Sequence, residues 1–91
     1  MREESTAQLQ PGMAVRAGQQ VVAGEEAIGE LVGVLERDGE HYLHVRRFGT
    51  GHDELYIPSV AVERSLADHI YLSLSALDLV GRAWHEPPTD L

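Results

Sequence analysis

Asp38-Gly39 separates two stretches of alternating apolar residues, and no other short feature constrains the fold of this chain as strongly. Asp-Gly takes the positive φ values of a two-residue type I′ turn, whose twist suits two paired antiparallel strands. Before the turn, Ile28-Gly29-Glu30-Leu31-Val32-Gly33-Val34-Leu35-Glu36 carries large apolar residues on both parities. Glycines inside such a run mark bulges where a small sheet bends. A helix over residues 25 to 36 competes, but each interior glycine costs it about 1 kcal/mol relative to alanine. After the turn, Leu43 and Val45 share one face of a strand, and Tyr42, His44 and Arg46 share the other.

The same alternation recurs along the chain. Met13, Val15 and Ala17 share a parity, and Gly18-Gln19-Gln20 is expected to turn them into Val21-Val22 as an opening hairpin. Gly49 to Asp53 reads as a loop, Leu55 and Ile57 point inward, and Pro58 ends that strand. The segment from Ser59 to Arg64 fits either a tight helical turn or an edge strand. Ile70, Leu72 and Leu74 form the inward face of a last strand. Ser75 and Asp78 have capping-box spacing, which predicts a short helix around Ala76 to Arg82. Its Leu77, Val80 and Trp84 would plug an open end of the curled sheet. The expected fold is mainly β, a small antiparallel β-barrel with one short C-terminal helix. Residues 1–10 read as a flexible tail, 11–84 as the domain and 85–91, with Pro87-Pro88, as a second tail.

Composition narrows the function. Seven arginines, no lysine and fifteen acidic residues give a net charge of −8, which repels phosphate backbones and anionic lipid, so neither nucleic acid nor membrane is an expected partner. With 91 residues there is room for one core, and a cavity for a large cofactor would strain it, so no cofactor is expected. The absence of cysteine removes thiolate metal sites, disulfides and thiol catalysis, and fits a reducing, cytoplasmic compartment. No apolar stretch has the length of a membrane span or the form of a signal peptide.

Candidate sites are few. His41 and His44 lie three apart in a strand, on opposite faces, and cannot chelate one ion. His52, Asp53 and Glu54 are weak candidates for a divalent cation, and solvation is the commoner fate of such a loop cluster. No Gly-x-Ser-x-Gly elbow or phosphate loop is present, so no catalytic residue is assigned and no enzyme is expected. Tyr42, Tyr56 and Tyr71 all fall on the parity opposite their strands' aliphatic residues, as a contact surface would require. Arg46 and Arg47 could pair with carboxylates across such a contact.

Three segments carry a family resemblance: Glu26-Ala27-Ile28-Gly29-Glu30-Leu31-Val32, then Tyr42-Leu43-His44-Val45, then Leu55-Tyr56-Ile57-Pro58 followed by Val62. Over about residues 12 to 80 the chain resembles the PRC-barrel domains, small β-barrels found in the cytoplasmic H subunit of photosynthetic reaction centres and in a ribosome-maturation factor. The resemblance implies the barrel fold and the adaptor role of small bacterial members, and it supplies no catalytic residue. The expected function is a non-catalytic protein-interaction module that binds itself as a two-fold dimer. A small-ligand or metal-binding barrel is the alternative.

Overall fold

The computed structural model describes residues 3–10, 13–37, 39–48, 54–75 and 78. Among the described residues nine strands carry the fold: β1 (Glu3–Glu4), β2 (Thr6–Gln10), β3 (Met13–Arg16), β4 (Gln20–Ala23), β5 (Glu26–Arg37), β6 (Glu40–Arg47), β7 (Glu54–Pro58), β8 (Val62–Ser65) and β9 (His69–Leu72). The main sheet runs β7-β6-β5-β4-β9-β8, and β1 pairs with the far half of β5. β2 and β3 form a separate two-stranded sheet.

The hairpin around Asp38-Gly39 is the centre of the sheet. β5 and β6 pair from Gly29↔Arg47 to Arg37↔Glu40, and Gly39 has φ +82°, as the turn demands. Asp38 itself lies outside the described residues. β5 is bent at two irregularities in register, one leaving Ile28 extra against β4 and one leaving Val32 extra against β6. Each lies beside one of the strand's glycines. The second bulge shifts the parity, so Leu31 and Val34, three apart, both turn inward and are 1% exposed. That shift is why the sequence shows apolar residues on both parities. Gly29 also has a steric role: a Cβ there would lie 2.4 Å from the Arg46 carbonyl oxygen and 2.8 Å from Val45 Cγ1.

The core lies on one face of the main sheet, where the inward residues of its strands meet. Val21, Leu43, Val45, Ile57 and Ile70 are fully enclosed, and Leu9, Met13 and Leu74 lean against them from the edges. Each such side chain contributes about 1.5–3 kcal/mol relative to exposure.

Several expectations are corrected. The sheet is not a closed barrel: among the described residues β7 and β8, the two ends of the path, do not pair. It is not wholly antiparallel either, because β4 and β9 run parallel from Gln20↔His69 to Ala23↔Leu72. β3 does not form a hairpin with β4. It pairs with β2 in the register Thr6↔Arg16, Ala7↔Val15 and Gln8↔Ala14, so residues 3–10 are paired strands rather than a loose tail. Pairing with β2 buries Val15, which a free β3 would leave half in water. β4 turns instead into β5 through Gly24, at φ +66°.

The ambiguous segment after Pro58 contains both elements weighed for it, a single 3₁₀ turn at Ser59–Ala61 followed by β8. The C-terminal helix expected around Ala76 to Arg82 is not seen, since apart from Asp78 it lies outside the described residues, as do Trp84 and the second tail. Of its start, the capping bond is present: the Asp78 N–H donates to Ser75 Oγ at 3.2 Å.

Candidate functional site

The face of β5, β6 and β7 opposite the core gathers most of the singled-out side chains because the registers align them in rows. Arg46 lies between Glu30 on β5 and Glu54 on β7. In the next row His44 faces Tyr56, and beyond it Tyr42 faces Pro58. The His44 and Tyr56 rings stack at 4.8 Å between centroids, 14° from parallel. His44 Nε2 donates to Glu54 Oε1, and Arg46 approaches Glu54 Oε2 at 3.7 Å. The hydrogen bond from His44 is the largest influence on the Glu54 carboxyl. It holds the carboxyl below its ordinary range, helped by the charges of His44 and Arg46 and opposed by desolvation.

Two residues expected in the same surface lie elsewhere. Tyr71 is on β9, separated from β6 in the sheet by β5 and β4, and its ring is covered by the Arg64 guanidinium at 4.5 Å and flanked by His69 at 6.0 Å. Arg47 shares the parity of Leu43 and Val45, faces Gly29 across the ladder and is half-buried. Only Tyr42, Tyr56 and Arg46 therefore form a common patch.

Of the loop cluster considered for metal, only Glu54 is among the described residues. Glu54 is the first residue of β7 and is engaged by His44 and Arg46, while His52 and Asp53 lie outside the described residues. Among the described residues no three His, Asp or Glu side chains gather as a metal site would require. The His44–Glu54 pair itself was not legible, because it forms across the β6–β7 ladder between residues ten apart in sequence.

A second feature went unread. Where the two sheets meet, a groove of about 600 Å³ opens to solvent between β2–β3 and the turn after β8, lined by Ala7, Ala14, Arg16, Ser65, Leu66 and Ala67 among others. Its floor is tied by Gln19, the one buried polar side chain among the described residues, at 4% exposure. Gln19 Oε1 accepts from the Arg16 N–H at 2.7 Å, and Nε2 donates to the Leu66 carbonyl at 2.6 Å and to Ser65 Oγ at 3.1 Å. Ser65 Oγ in turn donates to the Ala14 carbonyl at 2.7 Å. These side chains supply hydrogen bonds that a strand would otherwise give to the free edge of β3.

Compared with known proteins, the chain matches no family model, no curated protein and no solved structure.

Proposed function

We propose that this chain is a non-catalytic protein-interaction module of the PRC-barrel-like kind, acting in the cytoplasm and associating with itself as a two-fold dimer. The observation that carries the reading is the patch of Tyr42, Tyr56 and Arg46 at one end of the sheet. Aromatic rings and arginine are the residues most enriched in interface cores, and here they share β6 and β7 at one end of the sheet. Arg46, set between Glu30 and Glu54, offers charge of both signs to an identical surface. This favours a self-complementary contact in an otherwise acidic chain.

Sedimentation over a range of protein concentrations tests the proposal. A dimer is expected, and a monomer of 10.0 kDa persisting to roughly 100 µM overturns any association tighter than that. Replacing Tyr42 and Tyr56 together with serine is expected to weaken the dimer at least about tenfold, or about 1.4 kcal/mol. Tyr71→Ser alone is expected to leave it unchanged, since that ring lies on a different part of the sheet.

The groove favours a second reading, a small-ligand module, because about 600 Å³ falls within the range of small-molecule sites. Thermal melts with divalent cations and a metabolite panel separate the two. A ligand at 100 times its Kd adds about 2.7 kcal/mol, whereas an interaction module gives flat melts.

A further inference from the structure

One backbone bond fixes how the β2–β3 wall of the groove is built. Ala17 donates its N–H to the Ser5 carbonyl at 2.7 Å, which makes the next opposed pair, Thr6↔Arg16, a non-hydrogen-bonded one. Gln8↔Ala14, two residues on, is another. In such pairs the Cα atoms lie about 4.5 Å apart and the side chains stand close together. Thr6, Gln8, Ala14 and Arg16 therefore share one face of the small sheet, and all four are exposed there and line the groove. The backbone groups of Ala14 and Arg16 point away from β2, where the Ala14 carbonyl accepts from Ser65 Oγ and the Arg16 N–H donates to Gln19 Oε1.

The polar groups at the floor are already spent. Gln19 Nε2 gives its two hydrogens to the Leu66 carbonyl and to Ser65 Oγ, and the Ser65 hydroxyl hydrogen goes to Ala14. Neither side chain has a hydrogen left for a bound molecule. Beside them the groove presents Ala14, Leu66 and Ala67, and Leu66 is 52% exposed. Among the described lining residues, the side-chain donors still on offer stand on the β2–β3 wall. Arg16 carries five N–H groups, and the contact of its Nη2 with the Ala67 carbonyl, 3.4 Å, is long for a hydrogen bond. The Thr6 hydroxyl lies directly across the ladder from it, and the Gln8 amide one pair further.

We propose that this groove binds a monocarboxylic acid with a small apolar body, the carboxylate on Arg16 and Thr6 and the body against Ala14, Leu66 and Ala67; the proposal rests on the reading of the groove as a small-ligand site. A guanidinium meets a carboxylate through two parallel N–H···O bonds, and each carboxylate oxygen keeps a lone pair for a hydroxyl beside it. Charge sets the number of anionic groups. One arginine on the wall offsets one negative charge, whereas a dicarboxylate or a phosphate monoester would bring a second into the field of a chain that carries −8. Spent donors at the floor and alanine and leucine beside them select against a polar body, since its hydroxyls or amides would lose water without gaining partners.

Amide NMR on the full chain at fixed ionic strength tests this. The probes are benzoate, phenylacetate and isovalerate, with benzamide as the neutral counterpart of benzoate. At least one acid is expected to shift the amides of Thr6, Ala14, Arg16 and Ala67 together, with a Kd of about 1 mM or tighter. Benzamide is expected to bind at least about tenfold more weakly than benzoate. Arg16→Gln is expected to weaken the acids at least about tenfold and to leave benzamide unchanged, which separates lost charge recognition from a collapsed groove. The tie to Gln19 is made by the Arg16 backbone, so the substitution spares it, and a parent-like spectrum checks the fold. Thr6→Val keeps the β-branched shape and is expected to cost the acids about threefold. Benzamide that matches benzoate, or acids that bind Arg16→Gln as well as the parent, overturn the carboxylate and leave a small-ligand groove standing. Acids that move no groove amide also overturn it; the small-ligand reading then survives if the metabolite panel shifts the thermal melt and falls with it if the melts are flat.

Discussion

Gln19 works as a piece of backbone would. Its amide takes one N–H from β3 and gives hydrogens to Ser65 and the turn beyond β8, joining two sheets that share no ladder among the described residues. Replacing it with leucine keeps the approximate volume and orphans the Arg16 N–H and the Leu66 carbonyl. The variant is expected to lose about 2–4 kcal/mol, since an unpaired buried polar group costs roughly 1–3 kcal/mol. Urea unfolding that finds less than about 1 kcal/mol would mean that water satisfies those groups and that the amide is not the tie between the sheets. Nothing at residue scale announced this in the sequence, because Gln19 stands in a Gly-Gln-Gln turn of ordinary loop composition. Gly29 and Gly33 were legible as bend positions, since a glycine inside an apolar strand has few other uses. The close approach of the Arg46 carbonyl to Gly29 needed coordinates, because the strand that makes it lies beyond the hairpin turn.

At the scale of elements, the β6–β7 ladder couples a titrating group to strand pairing. Glu54 is held below its ordinary carboxyl range chiefly by its hydrogen bond from His44, and it belongs to the first residue pair of β7. A carboxyl whose folded pKa is depressed stabilises the fold fully above its unfolded value, about 4.3, and that contribution disappears as pH falls through the folded pKa. The stability difference between the parent and Glu54→Gln is therefore expected to be constant from about pH 6 upward and to shrink below about pH 4.3. Denaturant unfolding at several pH values measures it, and a difference that grows on acidification would show that Glu54 is instead destabilised by its setting. The ladder itself was largely readable. Alternation fixed which faces of β6 and β7 turn inward, and Asp38-Gly39 fixed β5 and β6 as neighbours. Two pairings were not readable. β2, Thr-Ala-Gln-Leu-Gln, does alternate, with Ala7 and Leu9 between polar residues, but two apolar positions, one of them alanine, are a weak signal and nothing in them names β3 as the partner. The parallel contact of β4 with β9 joins residues as far apart as Gln20 and His69, which no local signal connects. The opening hairpin was misassigned for the same reason: a turn at Gly18 was correctly placed, but the turn there redirects the chain between sheets rather than folding β3 back on β4.

For the whole molecule the governing quantity is charge. Each copy carries −8, so in the proposed dimer the apolar terms of the interface act against a net repulsion. Arg46, set between Glu30 and Glu54, lessens it locally. The remaining repulsion is long-ranged, and salt acts on it selectively. Between about 0.01 and 0.15 M ionic strength the Debye length falls from about 30 to 8 Å, which removes most interaction between charges distributed over a molecule whose longest dimension is 31 Å. Hydrogen bonds and buried rings at the contact are nearly insensitive to that change. Dimerisation is therefore expected to tighten as salt is raised over this interval, the opposite of an interface held by attraction between opposite charges. Sedimentation equilibrium at three ionic strengths reads the sign directly. A dissociation constant that rises with salt would reassign the contact to ion pairs, with Arg46 as the first residue to neutralise, and would remove the tyrosine rings as its principal source.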